Sequence, residues 1–129
     1  MNDTNPQNSS PSIKGGCLKE LIRAGLTWLR TNQEVVNALN VFPVPDGDTG
    51  TNMVLTLQAA YDEIETLTTD NVGEIARNLA KGALMGARGN SGVILSQIWR
   101  GFANSLNGAN GLDGPNFVQA LAEARDTAY

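Results

Sequence analysis

Asp46 and Asp48 stand on either side of Gly47, and Thr49, Gly50, Thr51 and Asn52 follow directly, within the stretch NVFPVPDGDTGTNM at residues 40–53. A tight turn at Gly47 can aim both carboxylates at one point, and Gly50 offers no side chain to keep a ligand from the backbone. Paired hard-oxygen donors of this kind suit Mg²⁺, which takes one or two protein carboxylates and completes its shell with water and phosphate oxygens. The hydroxyls of Thr49 and Thr51 and the Asn52 amide can hydrogen-bond the same oxygens. A second glycine cluster, GARGNSG at residues 86–92, comes one helix length later. Its order, helix then glycine-rich turn then Ser91 opening a helix, can present backbone amides to a phosphate, with Arg88 as a permanently charged donor. Together the two loops point to a Mg²⁺–nucleotide site.

Each loop has a plainer reading. A bare Asp-Gly-Asp can do no more than cap a helix after a proline-rich turn, and an arginine in a loop is often solvated or paired. Better-known motifs do not match. A calcium loop starting at Asp46 would need glycine where Thr51 stands and a bidentate carboxylate where Leu57 stands. The second cluster lacks the Gly-Lys-Ser/Thr ending of a P-loop, and Gly86, Gly89 and Gly92 follow no strand of a dinucleotide fold.

Helices must carry these loops. Leu18, Leu21, Ile22, Gly25 and Leu29 recur at helical spacing over residues 17–30, and a shorter helical segment covers residues 34–39. Pro43 and Pro45 then force an extended path. Met53, Leu57, Ala60, Ile64 and Leu67 predict a helix after the acidic loop, with Asp48 or Thr49 accepting from its first-turn amides. A break at residues 71–74 precedes a stripe of Ile75, Leu79, Ala80, Ala83 and Leu84. Residues 91–106 carry Ile94, Ile98 and Phe102 on one row and Leu95, Trp99 and Leu106 on another, which predicts a central helix apolar around much of its circumference. Pro115 is placed to open a last helix through Phe117, Leu121, Ala124 and Ala128. No segment alternates with a strand's period of two, so the fold class is all-α.

The 129 residues suffice for one domain with a real core, taken here as residues 13–129 behind a disordered, Asn/Ser/Pro-rich tail at 1–12. Nine Lys and Arg against thirteen Asp and Glu give a net charge of −4, the wrong sign for coating nucleic acid. No apolar run approaches a membrane span and the start lacks a secretory signal. Cys17, the one cysteine, falls in the first helical pattern and is expected in the core of a cytoplasmic protein.

Taken in order, NALNVFPVPDGDTGTNM and KGALMGARGNSGVILSQ resemble the nucleotide-binding L-type (Dak kinase) domain of dihydroxyacetone kinases and bacterial fatty acid kinases, the first motif most closely the fatty acid kinase branch. The resemblance covers about residues 25–102. It implies an antiparallel helical barrel that binds ATP at one end with two Mg²⁺ ions. Asp46 and Asp48 become the metal ligands. The third aspartate of the dihydroxyacetone kinase pattern falls at Asn40, a neutral and weaker ligand. Gly86, Ala87, Gly89, Asn90, Ser91 and Gly92 become the loop around the β and γ phosphates; the positive charge that phosphoryl transfer needs there makes Arg88 the candidate catalytic cation. The family domain continues with further helices, so the sequence resembles an incomplete, N-terminal part of such a barrel. The resemblance also implies a separate lipid- or substrate-carrying subunit, while a homo-dimer stays open. Three functions follow as expectations: phosphorylation of a fatty acid carboxylate, a dihydroxyacetone kinase-like donor, or an inactive helical element that binds nucleotide or a partner. The absence of histidine removes the usual general base for a hydroxyl acceptor, whereas a carboxylate needs none.

Overall fold

A computed structural model describes residues 12–39 and 47–129. Asn40, Asp46 and the tail up to residue 11 therefore lie outside the described residues. Six helices follow in order: α1 (Gly15–Thr31), α2 (Gln33–Ala38), α3 (Thr49–Ile64), α4 (Val72–Met85), α5 (Gly89–Ser105) and α6 (Gly114–Ala128). Among the described residues there is no strand, only one isolated bridge in which Ile13 and Leu112 exchange backbone bonds of 2.8 Å. The all-α expectation holds. No helix is long and apolar enough to cross a membrane among the described residues.

α3, α4 and α5 pack on one another, and α1 lies across α3 and α4. The shared core is Leu18, Ile22 and Leu26 from α1, Leu57 and Ile64 from α3, Ile75 and Leu79 from α4, and Phe102 and Leu106 at the end of α5. The start of α1 is tied to the α3–α4 connection. Asp70 accepts the Gly15 amide on its carbonyl at 2.7 Å, and Lys19 Nζ donates to the carbonyls of Glu65 and Leu67 at 2.9 and 2.7 Å. These bonds satisfy carbonyls left over past the end of α3.

α4 starts at a side-chain cap, Asn71 Oδ1 accepting from the Glu74 amide at 2.8 Å. α6 starts at a reciprocal capping pair between Asp113 and Asn116, with Pro115 in its first turn. Pro115 thus opens the last helix as expected.

Helix faces were less legible than helices. On α1 the buried row runs Leu18, Ile22, Leu26 and Leu29, while Leu21 and Gly25 are exposed. Cys17 is also exposed, contrary to its expected place in the core. It lies about 100° around the helix from Leu18, outside the stripe that α3 and α4 can cover. On α6, Ala120 and Ala124 are buried, whereas Phe117 and Leu121 are 42% and 50% exposed. The cause is Gly101 of α5: a Cβ there would lie 2.7 Å from Ala124 Cα. Two backbones that close admit only small residues between them, so the larger side chains of α6 move to the edge of the contact. α6 packs on α5 alone among the described helices, and an apolar groove of about 290 Å³ remains between α1 and α6. Phe102 lies on its floor, edge-on to both Trp99 and Phe117.

α5 is accordingly less enclosed than its composition suggests. Its Val93 and Ile94 are about half exposed, and Leu84 at the end of α4 is 60% exposed.

Candidate functional site

The two sequence loops meet through α3. Asp48 occupies the N-cap position of that helix, and its carbonyl accepts from the Asn52 amide at 2.9 Å. Its carboxylate makes no capping bond, so the expected side-chain cap from Asp48 or Thr49 is not formed.

Capping comes instead from α2. Asn37 Oδ1 accepts the Thr51 amide at 3.0 Å, while Asn37 Nδ2 and Gln33 Nε2 donate to Thr51 Oγ1 at 3.1 and 2.9 Å. One orphan amide of the α3 first turn is thereby satisfied from another helix. The two donated bonds occupy the lone pairs of the Thr51 hydroxyl, leaving its own proton as the remaining donor. Gly50 is buried, and a Cβ on it would strike the Gln33 carbonyl and lie 2.9 Å from Asn37 Oδ1. Its lack of a side chain therefore serves the α2–α3 contact.

Removing this brace has a definite expected cost. Asn37→Ala leaves the part-buried Thr51 amide without its acceptor and takes one of two donors from the Thr51 hydroxyl, and is expected to lower stability by about 1–2 kcal/mol in urea unfolding. A midpoint equal to that of the parent protein would show that the brace carries no weight.

The glycines of the second loop serve α3 as well. Gly86 caps the C-terminus of α4, Arg88 is the N-cap of α5, and α5 begins at Gly89, two residues before the start expected at Ser91. Gly89 has φ +65°, a left-handed conformation that a side chain would strain, and a Cβ there would run into the Asn52 amide. A Cβ on Gly92 would meet Thr56 Oγ1, and one on Gly86 would meet the Ala59 methyl. Asn52, Thr56 and Ala59 form one face of α3. The Gly-x-x-Gly-x-x-Gly spacing is thus the footprint of α3 on the α4–α5 turn.

Thr56 joins the two halves of the site. Its buried hydroxyl donates to the Asn52 carbonyl at 2.8 Å and accepts the Arg88 amide at 3.1 Å. Sequence reasoning passed over Thr56, Asn37 and Gln33. The available signal was a polar residue set four positions after Asn52 inside an apolar stripe.

The N-termini of α3 and α5 therefore lie side by side, with Asn52 against Gly89. Helix geometry leaves the amides of Gly89, Asn90 and Ser91 without intrahelical acceptors, and the first such bond is Gly92 N–H to the Arg88 carbonyl at 3.0 Å. Two positive dipole ends and these amides face a common region, which favours an anion. Gly89 and Asn90 are exposed and Ala87 and Ser91 half-buried. The Arg88 side chain is exposed and belongs to neither ion pair found among the described residues, Glu20–Arg23 and Arg125–Asp126. Thr49, half-buried, opens α3.

The metal side of the site is only half within view. Among the described residues no group of three or more carboxylate, histidine or cysteine side chains comes together. Asp48 is the single expected ligand there, since Asp46 and Asn40 fall outside them. Asp48 brings a hard carboxylate oxygen beside two helix N-termini, which fits a cation shared with phosphate.

An all-helical fold whose two neighbouring helix starts are built from these motifs fits a kinase-related, nucleotide-binding domain. The chain belongs to the DAK2 domain family, of the dihydroxyacetone kinase type, with residues 43–129 matching that domain. It is 48% identical over 118 residues to Protein YloV of Bacillus subtilis, an alignment covering 92% of this chain and 21% of that protein. Uncharacterized proteins of Staphylococcus epidermidis and Staphylococcus aureus are 44% and 43% identical over 117 residues, again across 91% of this chain and 21% of theirs. The chain thus spans about a fifth of the length of these relatives.

Proposed function

We infer that this chain forms the nucleotide-binding part of an ATP-dependent phosphotransferase whose acceptor is a fatty acid carboxylate held by a separate protein subunit. The observation that carries the reading is the pairing of the α3 and α5 N-termini through Asn52, Thr56 and Gly89. Phosphoryl transfer asks a protein chiefly to position the phosphates and to surround them with positive charge. The amides of Gly89, Asn90 and Ser91, the Thr51 hydroxyl proton and the Arg88 guanidinium supply that charge and those donors. Asp46 and Asp48 would hold Mg²⁺, which neutralises the phosphate oxygens when bound.

The residue content of the chain modestly favours one acceptor. It contains no histidine to deprotonate a hydroxyl, and an ionised carboxylate attacks without a base. That favours acyl phosphate formation over phosphorylation of dihydroxyacetone. The motif wording NVFPVPDGDTGTNM supports the same branch of the family.

Calorimetric titration with ATP, with and without Mg²⁺, tests the reading. Binding that requires Mg²⁺ is expected. Absence of binding in both conditions would leave the chain as a helical interaction element. Transfer of the γ-phosphate to dihydroxyacetone and not to a protein-held fatty acid would replace the acceptor.

A further inference from the structure

A second cleft lies between α4 and α5 and is lined differently from the nucleotide region. Arg77 and Lys81 rise one turn apart on α4, and Arg100 faces them from α5, where it donates to Gln97 Oε1 at 3.0 Å. Ala80 and Leu84 form an apolar strip beside the cations, and the cleft is about 190 Å³ with no carboxylate in its lining. Three of the nine cations of a chain with net charge −4 are gathered here. None of them belongs to the two ion pairs found among the described residues. Like charges collected beside an exposed leucine repel one another and gain nothing from the fold itself.

We propose that the α4–α5 cleft docks an acidic amphipathic helix of a partner protein, with carboxylates meeting Arg77, Lys81 and Arg100 and an apolar side chain seated on Ala80 and Leu84. Charge complementarity selects the occupant. The cleft is too small for a nucleotide and admits one or two side chains. It has no aromatic face on which a base could stack, since Trp99 lines the apolar groove on the α1–α6 side. The apolar strip gives the partner an anchor, because Leu84 is 60% exposed beside the half-buried Ala80. Helix-in-groove recognition uses this combination of a central apolar residue and flanking charges. The inference does not depend on nucleotide binding or on the acceptor.

The test is selection of the intact chain against an unbiased library of displayed helical peptides, followed by fluorescence anisotropy with the enriched peptides and with a duplex RNA. Enrichment of peptides bearing Asp or Glu at i, i+4 spacing around a Leu or Met is expected. Arg77→Glu with Arg100→Glu should weaken them about tenfold or more and abolish their steep salt dependence. All the altered residues are exposed, and unchanged circular dichroism verifies the fold. The milder pair Arg77→Gln with Arg100→Gln should give an intermediate loss. Enrichment of neutral or basic peptides, equal binding by the charge-reversed protein, no enrichment, or tighter binding of the RNA would each overturn the proposal.

Discussion

Replacing Asp46 and Asp48 together by Asn is expected to weaken Mg²⁺-dependent ATP binding about a hundredfold and to leave helicity unchanged. The size follows from the role: loss of groups that merely orient a metal's ligands already costs 10–100-fold in affinity, so loss of the ligands belongs at the upper end. The Asn amide keeps the oxygen but removes the charge that a small, strongly hydrated cation needs in exchange for its water. Helicity should hold, because the α3 first turn is braced from α2 by Asn37. Calorimetry at fixed Mg²⁺, with circular dichroism as a control, separates the two effects. Unchanged affinity in the double variant would remove both residues from the metal site.

The second large effect concerns stability. Leu79→Ala, at the middle of α4, is expected to cost about 3–4 kcal/mol, at the centre of the range for buried leucines whose surroundings relax only in part. Leu79 is fully buried, and α4 is the helix that packs against α1, α3 and α5 alike. A cavity there loosens three interfaces at once. Because α4 also carries Gly82 and Gly86 against Ala59 and Ala60 of α3, partial collapse around the cavity is resisted by backbones already in contact. A urea midpoint shift worth less than 1 kcal/mol would mean that the core closes over the gap. Leu84→Ala, on the exposed side of the same helix, provides the comparison, with an expected cost near zero.

The contrast between Leu79 and Leu84 shows where sequence reasoning stops. Both fall on the apolar stripe predicted for α4, yet one is enclosed and the other forms the edge of the basic cleft. Periodicity states which residues share a side of a helix, but not how wide a strip the neighbours cover. The same gap explains Cys17 and Leu21 on α1 and Phe117 and Leu121 on α6. In the last case the deciding residue, Gly101, lies on another helix and draws the two backbones together over Ala120 and Ala124.

The existence of every described helix, and the starts at Asn71 and Pro115, were legible because caps, prolines and 3.6-residue spacing act locally. So was the character of residues 48–52 and 86–92, since both stretches pair glycine with polar groups at helix starts. What these glycines and hydroxyls contact was not legible. Gly50, Gly86, Gly89 and Gly92 read as openings for a phosphate, but each lies where a Cβ would strike α2 or α3. Thr51 read as a phosphate ligand, and its amide and oxygen lone pairs turn out to be held by Asn37 and Gln33. A glycine spaced for backbone approach looks the same in one dimension whether a ligand or another helix makes the approach.

What the amino-acid order determined by itself is therefore an all-α chain with two polar, glycine-bearing helix starts of the DAK2 kind. Only the tertiary structure decided that these starts lie side by side, that Thr56 and Asn37 bind them there, and that three cations meet across α4 and α5. Local rules set each helix from its own neighbours in the chain, whereas contacts between residues 14 to 32 positions apart depend on the packing of whole helices, which no single segment encodes.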